Sequence, residues 1–272
     1  MLGLVATLSG FGHWVVGFSI PVVVAALRDV VLRLRYRRIV AHQVSDIVVG
    51  VGGFVVGGGM IFVIFSMSFF AGSQVGLQGY VGLSQIGAES FMGIAGSFAN
   101  VREIVPVIAG AAVAAQIGTA FTAEIGAMRV SDEVDALEAM GLPSLTYLIS
   151  TRLVATFIAI LPLYLLSLFS SFFATRLITV QGFGLSPGVY DYYFNLYLPP
   201  IDILYSVVKV LVFTALVVLI HGYHGYHASG GPAGVGRAVG RAVRASIMTI
   251  VVVNLLLSFL FWGQGGSVSV TG

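Results

Sequence analysis

Long uncharged apolar runs alternate along the chain with short polar stretches. Four of these runs contain no Asp, Glu, Lys or Arg, and they cover residues 47–71, 104–123, 153–175 and 245–262. A fifth apolar run, 201–220, carries Lys209 within it, and the long stem of this lysine can reach toward the nearer membrane interface. Because about 20 apolar residues in a helix cross about 30 Å of hydrocarbon, the pattern predicts five transmembrane helices.

The composition supports this interpretation. Hydrophobic residues make up 58% of the chain and charged residues 9%, and the mean hydropathy is +1.01. Soluble domains are about one quarter charged, so the chain is predicted to be an integral membrane protein. It contains no cysteine, which excludes a disulfide framework, a thiolate nucleophile and a cysteine-ligated metal.

The distribution of arginine predicts the orientation in the membrane. Three polar stretches (before residue 47, 124–152 and 221–244) hold most of the basic residues. These residues are Arg28, Arg33, Arg35, Arg37, Arg38, Arg129, Arg152, Arg237, Arg241 and Arg244. The positive-inside rule places the three stretches in the cytoplasm. With five crossings, the N-terminus is then cytoplasmic and the C-terminus lies outside.

Two segments leave alternatives open. Residues 1–27 are apolar, and we favour an interfacial helix followed by a basic helix at 27–40 over a sixth span. Residues 72–100 are rich in glycine and carry one charge, Glu89, so they can form a re-entrant or broken helix buried against protein. The predicted parts are an N-terminal interfacial and basic segment, a transmembrane domain and a flexible outward tail: 1–45, 46–263 and 264–272.

A short acidic stretch, "EIGAMRVSDEVDALEAMGLP", lies between two of the apolar runs. Five of the chain's 11 acidic residues fall within it, namely Glu124, Asp132, Glu133, Asp135 and Glu138. Ser131 is a plausible N-cap, and Gly141 followed by Pro143 is a stop signal. The pattern predicts a short amphipathic helix on the cytoplasmic face. Since acidic groups repel an anionic leaflet, a protein partner with basic pockets fits it better than lipid, and a solvated loop helix is the alternative.

The sequence predicts no catalytic residue and no metal site in this chain. A nucleotide-binding P-loop needs a lysine after its glycines, but the glycine-rich "GVGGFVVGGGM" at 50–60 has no basic residue. ATP and magnesium are therefore expected on another polypeptide, with no cofactor and no nucleic-acid partner here. His221, His224 and His227 have a spacing that could mimic a metal site, although interface anchoring is favoured.

Small residues recur every four positions at Gly110, Ala114 and Gly118. This spacing lets two helix backbones approach closely in a membrane. The partner helix can belong to the same chain or to a second copy, and the sequence leaves both alternatives open.

Two blocks resemble a known family. Residues 102–155, "REIVPVIAGAAVAAQIGTAFTAEIGAMRVSDEVDALEAMGLPSLTYLISTRLVA", closely resemble the core of the MlaE/YrbE permeases. Residues 230–263, "GGPAGVGRAVGRAVRASIMTIVVVNLLLSFLFWG", look like the actinobacterial YrbE branch associated with Mce lipid transport systems. Thr151 departs from the proline usual in the proteobacterial branch, which favours the Mce-associated branch.

The resemblance implies a permease subunit of an ABC-type lipid transporter in the inner (plasma) membrane. A second YrbE-like permease, identical or homologous, would pair with it above a cytoplasmic ABC ATPase, and Mce-family proteins would carry the lipid outside. The stretch 124–141 matches the family's coupling helix, so the implied docking residues are Glu124, Arg129, Asp132, Glu133, Asp135 and Glu138. Arg102 and Glu103 match a pair near the family's lipid-binding cavity, and Tyr80 is a weaker candidate for that cavity.

The predicted fold is an all-α integral membrane protein with about five transmembrane helices, an N-terminal interfacial helix and a short cytoplasmic coupling helix. Two other functions stay open. A scaffold could anchor Mce proteins without transport, and copurification of an ATPase would argue against it. A membrane-embedded lipid-modifying enzyme needs converging acid–base groups, which the uncharged runs hardly supply.

Overall fold

Helices make up the regular structure of the chain. The computed structural model describes residues 17–34, 36–49 and 59–263, and every regular element in these ranges is helical. In chain order the helices are α1 (Ile20–Ala25), α2 (Arg37–Val49), α3 (Gly59–Ser84), α4 (Glu89–Val130), α5 (Glu133–Ala139), α6 (Thr146–Gly182), α7 (Pro187–Leu196), α8 (Pro200–Tyr226) and α9 (Gly231–Trp262). Helix α1 continues into a π-helical segment, and α4 and α6 contain further π-helical turns; these segments are Ala26–Leu32, Ala99–Ile104, Val113–Gly118, Thr146–Ser150 and Leu177–Gly182.

Five helices of the described part are long and apolar enough to cross a membrane: α3, α4, α6, α8 and α9. The prediction of an all-α integral membrane protein with five transmembrane helices is confirmed. The first span differs in position from the predicted 47–71, because α3 begins at Gly59 and continues to Ser84. The glycine-rich residues that follow Ala71 extend this helix, since most of them pack against neighbouring elements.

Residues 72–100 form a helix that is broken at residues 85–88, as the second predicted alternative describes, and re-entry into the membrane stays a prediction. Their first part completes α3, residues 85–88 form a turn, and α4 begins at Glu89. The glycine-rich stretch at 50–58, the N-terminal residues 1–16 and the predicted tail at 264–272 lie outside the described residues.

The contacts divide the chain into two compact units. Unit 1 comprises Met1–Ile47, Val113–Ala159 and Thr214–Met248, and unit 2 comprises Val48–Ala112, Ile160–Phe213 and Thr249–Gly272. The predicted boundaries at residues 45 and 263 stay predictions.

In unit 1, the N-terminal helix α1 packs through one face. Val22 is buried, and its carbonyl accepts a hydrogen bond of 2.9 Å from the Ser150 hydroxyl. Ile20 and Val24 on the other face are at least half exposed. The prediction of one continuous basic helix at 27–40 is wrong, because Leu34 takes a positive φ of 50°, which a right-handed helix cannot accommodate.

In unit 2, small and hydroxyl-bearing residues bring α3, α4 and α6 close together. The Thr175 hydroxyl donates to the Gly72 carbonyl at 2.8 Å, and the Ser171 hydroxyl donates to Asn100 Oδ1 at 2.8 Å. Asn100 in turn donates to the Thr175 hydroxyl at 2.9 Å. These side chains are buried, so the network satisfies polar groups that lipid could not, and it requires the small residue at position 72.

The close approach at Gly72 gives a matched test. A Cβ at this position would overlap the backbone of Ser171, whereas one at Gly82 would meet nothing within 4 Å. We expect Gly72→Ala to destabilise the protein by about 1–3 kcal/mol, as overpacking does, and Gly82→Ala to change little. Thermal unfolding of the two variants in the same detergent measures this. Equal behaviour of the two variants would contradict the packing shown here.

Candidate functional site

The predicted acidic helix exists, but it begins differently from the prediction. Helix α5 spans Glu133–Ala139, and Asp132 precedes it in a left-handed conformation with φ 60°. Ser131 ends α4 instead of capping α5, and its hydroxyl donates to the Ala127 carbonyl at 3.0 Å and to the Glu133 carboxylate at 2.9 Å. The prediction of Ser131 as N-cap is therefore wrong. Asp132 occupies the N-cap position of α5 instead, and its side chain makes no capping hydrogen bond.

Several of the predicted docking residues tie this helix to the rest of unit 1. Arg129 forms an ion pair with Asp135, and Arg152 donates to Glu124 at 2.8 Å. The Glu138 carboxylate accepts hydrogen bonds from the hydroxyls of Ser144 at 2.6 Å and of Tyr226 at 3.0 Å. These two bonds lower the pKa of Glu138, so its carboxylate is charged at neutral pH. Asp135 and Glu138 therefore attach α5 to other parts of unit 1, whereas the Arg152–Glu124 pair joins α6 to α4.

The outer surface of α5 stays open. The Asp132 side chain has no hydrogen-bond or ion-pair partner in the described part of the chain, and the Glu133 carboxylate accepts a hydrogen bond only from the Ser131 hydroxyl. The apolar residues at this helix differ in burial, because Val134 is fully buried while Met140 is 68% exposed. Beside the helix lies a cavity of about 540 Å³ lined by Glu138, Gly141–Thr146, Pro21 and Tyr226. We call Asp132, Glu133, Met140 and this cavity the α5 surface. Exposed acidic and apolar side chains next to a cavity are typical of a surface that binds another protein.

A second polar cluster lies in unit 2 around Arg102 and Glu103. Arg102 on α4 pairs with Asp202 near the start of α8 at 2.7 Å, and Asp202 is only 1% exposed. The indole nitrogen of Trp262 donates to the same carboxylate at 2.9 Å. The Arg102 guanidinium also stacks over the Phe98 ring, 3.9 Å from its centroid. The Trp262 ring centroid lies 5.2 Å from the Arg102 guanidinium carbon, so Asp202, Phe98 and Trp262 all surround this side chain.

Glu103 belongs to the same cluster through different partners. Its two carboxylate oxygens accept hydrogen bonds of 2.6 Å from Ser258 and from Asn254, both on α9. Lys209 on α8 is fully buried; its ammonium group lies 3.6 Å from Glu103 and donates to Ser258 at 2.8 Å. Asn254, an amide within an apolar span, thus forms a hydrogen bond between α9 and α4. Lys209 does not extend to an interface, because these partners hold its head group inside unit 2.

The cluster of Arg102, Glu103, Asp202 and Lys209 balances two cations with two carboxylates. The sequence predicted Arg102 and Glu103 as site residues, but it did not predict that Asp202, Ser258 and Trp262 belong to the same cluster. The available signal was the rarity of charge in apolar runs: Lys209 and Asp202 lie in one apolar helix, and such charges are costly unless paired. Arg102 and Glu103 are adjacent in sequence but pair with other helices, which sequence spacing does not reveal.

Comparison with known proteins decides the family. The family model described as "Permease MlaE" matches residues 53–260. The chain belongs to the MlaE permease family. A protein of Rickettsia bellii named "Probable ABC transporter permease protein" is 36% identical over 204 residues, which cover 72% of this chain and 75% of that protein.

Two further relatives carry more specific names. The Arabidopsis thaliana protein named "TRIGALACTOSYLDIACYLGLYCEROL 1, chloroplastic" is 31% identical over 74% of this chain and 57% of its own length. The Haemophilus influenzae "Intermembrane phospholipid transport system permease protein MlaE" is 28% identical over 75% of this chain and 79% of its own length. The five apolar helices and the family together make this permease a multi-pass membrane protein. The Rickettsia and Haemophilus relatives are both named as permeases.

The remaining predicted site residues of the permease pack inside the chain. In unit 2, the Tyr80 ring stacks on Phe183 with centroids 4.2 Å apart, and Gly110 faces Phe213 and Ile250. In unit 1, Gly118 lies against the His221 ring. Ala114 is fully buried. Gly110 and Gly118 thus contact side chains of their own chain. A contact of this stripe with a second copy stays a prediction.

His221 is the buried member of the histidine series in unit 1. Its ring Nδ1 lies 2.7 Å from the Thr122 hydroxyl, and the His227 Nδ1 lies 2.9 Å from the Tyr223 carbonyl. His221 therefore joins α8 to α4 through Thr122, whereas the His227 contact stays within the C-terminal turn of α8.

The buried Arg102–Asp202 pair of the permease can be tested by compensation. Arg102→Gln leaves the Asp202 carboxylate buried without its cation, so we expect a loss of about 3–5 kcal/mol in unfolding free energy. Adding Asp202→Asn should recover most of that loss, because no uncompensated charge then remains. Chemical unfolding in detergent, followed by circular dichroism, measures both variants.

The control is an exposed pair in the same unit. Arg176 and Asp191 are 46% and 44% exposed, and their pair is 2.8 Å long. Arg176→Gln should cost only about 0–1 kcal/mol, as exposed ion pairs do. Equal losses for Arg102→Gln and Arg176→Gln would show that burial does not strengthen the Arg102 pair.

Proposed function

We propose that this chain is the membrane-spanning permease subunit of an ABC-type lipid transporter and that a separate cytoplasmic ATPase drives it. The α5 surface carries this proposal: a short helix that shows unpaired acidic groups and exposed Met140 beside a cavity. Membership of the MlaE family and the names of its relatives, which include phospholipid transport, support the same function.

In the proposed mechanism, the ATPase binds the α5 surface and moves α5 when it hydrolyses ATP. ATP and magnesium would be held by that ATPase. The internal supports of α5 make it suitable as a coupling helix, because Glu138 connects it to Tyr226 at the end of α8 and Asp135 connects it to Arg129 at the end of α4. Movement of α5 would therefore be passed to two spans through charged hydrogen bonds.

The specific assembly follows from the resemblance to the actinobacterial branch. The permease would pair with a second YrbE-like permease in the inner (plasma) membrane and would exchange lipid with Mce-family proteins outside. A scaffold that only anchors Mce proteins is the alternative function, but such a scaffold has no use for an acidic coupling helix.

The lipid path would include Tyr80, Arg102 and Glu103 of unit 2. Glu103 has the most accessible side chain of the charged cluster, at 46% exposure, so it is the member best able to meet a lipid headgroup. Arg102 and Tyr80 are held by Asp202 and Phe183, and their part would be to shape the cavity.

Charge reversal on the α5 surface tests the coupling function. Asp132→Lys with Glu133→Lys places two cations where a basic partner would dock, so we expect ATPase association to weaken at least about tenfold, since like charges at an interface are costly. The ATPase recovered per tagged permease measures the effect, with transport measured on the same preparation.

The control carries the same change in charge at other positions. Asp46→Lys with Glu89→Lys alters two carboxylates that lie outside α5 and should leave ATPase recovery unchanged. The membrane level of all variants is checked by immunoblot. Unchanged ATPase recovery and transport in the Asp132→Lys, Glu133→Lys variant would refute docking on α5.

The proposed orientation predicts which side of the membrane each end of α9 faces. Gly231 begins α9, and Gly230 and Gly231 both have positive φ, so this turn can accept an inserted reporter. A reporter that works only in the cytoplasm should be active at Gly231, and a reporter that works only after export should be active when fused after Gly272. Reports from the same side at both positions would show that the number of crossings is wrong.

A further inference from the structure

Three arginines on the first turns of α9 have no partner among the described side chains. Arg237, Arg241 and Arg244 are all exposed, and their spacing of four and three residues places them on one face of the helix. No hydrogen bond or ion pair joins them to another side chain within residues 17–34, 36–49 and 59–263. Four other arginines of unit 1 have carboxylate partners, namely Arg28, Arg33, Arg129 and Arg152. Arg37 and Arg38 on α2 are exposed and have no carboxylate partner among the described residues, but they do not border this groove. The three α9 arginines are therefore free to bind an external anion.

These arginines surround an open groove in unit 1. The groove has a volume of about 480 Å³ and is lined by Ala233, Gly236, Arg237, Gly240, Arg241 and Arg244. A Cβ at Gly236 would meet nothing within 4 Å, and one at Gly240 would meet only the Arg244 guanidinium at 3.7 Å. Helix packing therefore does not require glycine at these positions. Their effect is to leave space between the guanidinium groups.

The arrangement favours a phosphate group over a single carboxylate. A guanidinium presents a planar fork of donors that matches the oxygens of phosphate, and three such forks on one face can surround one tetrahedral anion. We call Arg237, Arg241, Arg244 and the groove between them the α9 groove.

The next turn of the same face is apolar. Met248 follows Arg244 by four residues and is 70% exposed, and the neighbouring Ile247 is 38% exposed. The helix therefore passes from cationic to apolar side chains at the α9 groove, within unit 1. A ligand with an anionic head and an apolar tail matches this change, whereas free phosphate or an acidic protein segment would leave Met248 uncovered.

We propose that the α9 groove binds the phosphate of an anionic phospholipid, held as a resident lipid of the permease. This binding is independent of the proposed transport of lipid and of docking on α5. The arginines would hold the phosphate oxygens, and the acyl chains would lie along the apolar part of α9 that begins at Ile247 and Met248. Such a lipid would stabilise the exposed end of α9 in the membrane.

The test measures retained lipid on the full-length permease in mild detergent by native mass spectrometry. Phosphatidylglycerol is the anionic probe, phosphatidylcholine the zwitterionic one and inorganic phosphate the soluble one. We expect Arg241→Gln with Arg244→Gln to weaken phosphatidylglycerol binding about thirtyfold, since each basic group near a lipid surface contributes roughly a factor of five. Arg241→Lys with Arg244→Lys should keep most of the binding and guards against misfolding of the glutamine variant.

A charge-matched control separates the groove from general surface charge. Arg37→Gln with Arg38→Gln removes the same charge from α2 and should leave phosphatidylglycerol binding unchanged. Equal losses in the two glutamine variants, or unchanged binding in the Arg241 and Arg244 variant, would overturn the proposal. Binding of inorganic phosphate without a preference for phosphatidylglycerol would assign the groove to a soluble anion and overturn the lipid assignment. Transport and ATPase recovery, measured separately, report on the proposed function alone.

Discussion

A charge within an apolar helix must be neutralised by another part of the protein, because lipid offers neither water nor a counter-ion. Unit 2 meets this requirement with Lys209 and Asp202 on α8, whose partners lie on α4 and α9. Each ion pair or hydrogen bond joins two different helices, so the pairing fixes the rotation and the depth of all three. The close contact of Gly110 with Phe213 and Ile250 involves the same three helices and requires the same register.

The sequence predicts the helices of this protein better than it predicts their contacts. Hydropathy alone gave five spans, because the cost of exposing backbone and charge to lipid acts on each segment separately. It placed the first span too early in the sequence, because the glycines after Ala71 were interpreted as a sign of irregular backbone. In the structure, Gly72 lies within α3 and allows this helix to contact α6 closely. The intrinsic helix propensity of glycine is low at every position. It does not show where close packing against a neighbouring helix offsets that cost.

For the candidate site, too, the sequence predicted the helix but not the contacts that its side chains make. The acidic composition of α5 identified a helix with an unusual surface, but it could not separate carboxylates that support the helix from carboxylates that stay open. Glu138 supports the helix because it bonds to Ser144 and Tyr226. Ser144 lies beyond the turn that ends α5, and Tyr226 is distant in sequence, so neither contact could be read from the acidic composition. The start of α5 was missed because a left-handed Asp132 is a tertiary outcome, and Ser131 is an equally good cap on paper.

Arginine shows how the partner determines the role of a residue type. Counting Lys and Arg gives the orientation of a membrane protein because all of these groups avoid crossing the bilayer. The count gives every basic residue the same weight, although the arginines of this structure have different partners. Arg102 is held by a buried carboxylate, Arg129 and Arg152 support α5 and its surroundings, and Arg241 and Arg244 meet no carboxylate in the described chain. An arginine with an internal carboxylate partner uses part of its hydrogen-bonding capacity, and its charge is already balanced. The arginines without one, next to exposed Met248, retain that capacity for a ligand from the membrane.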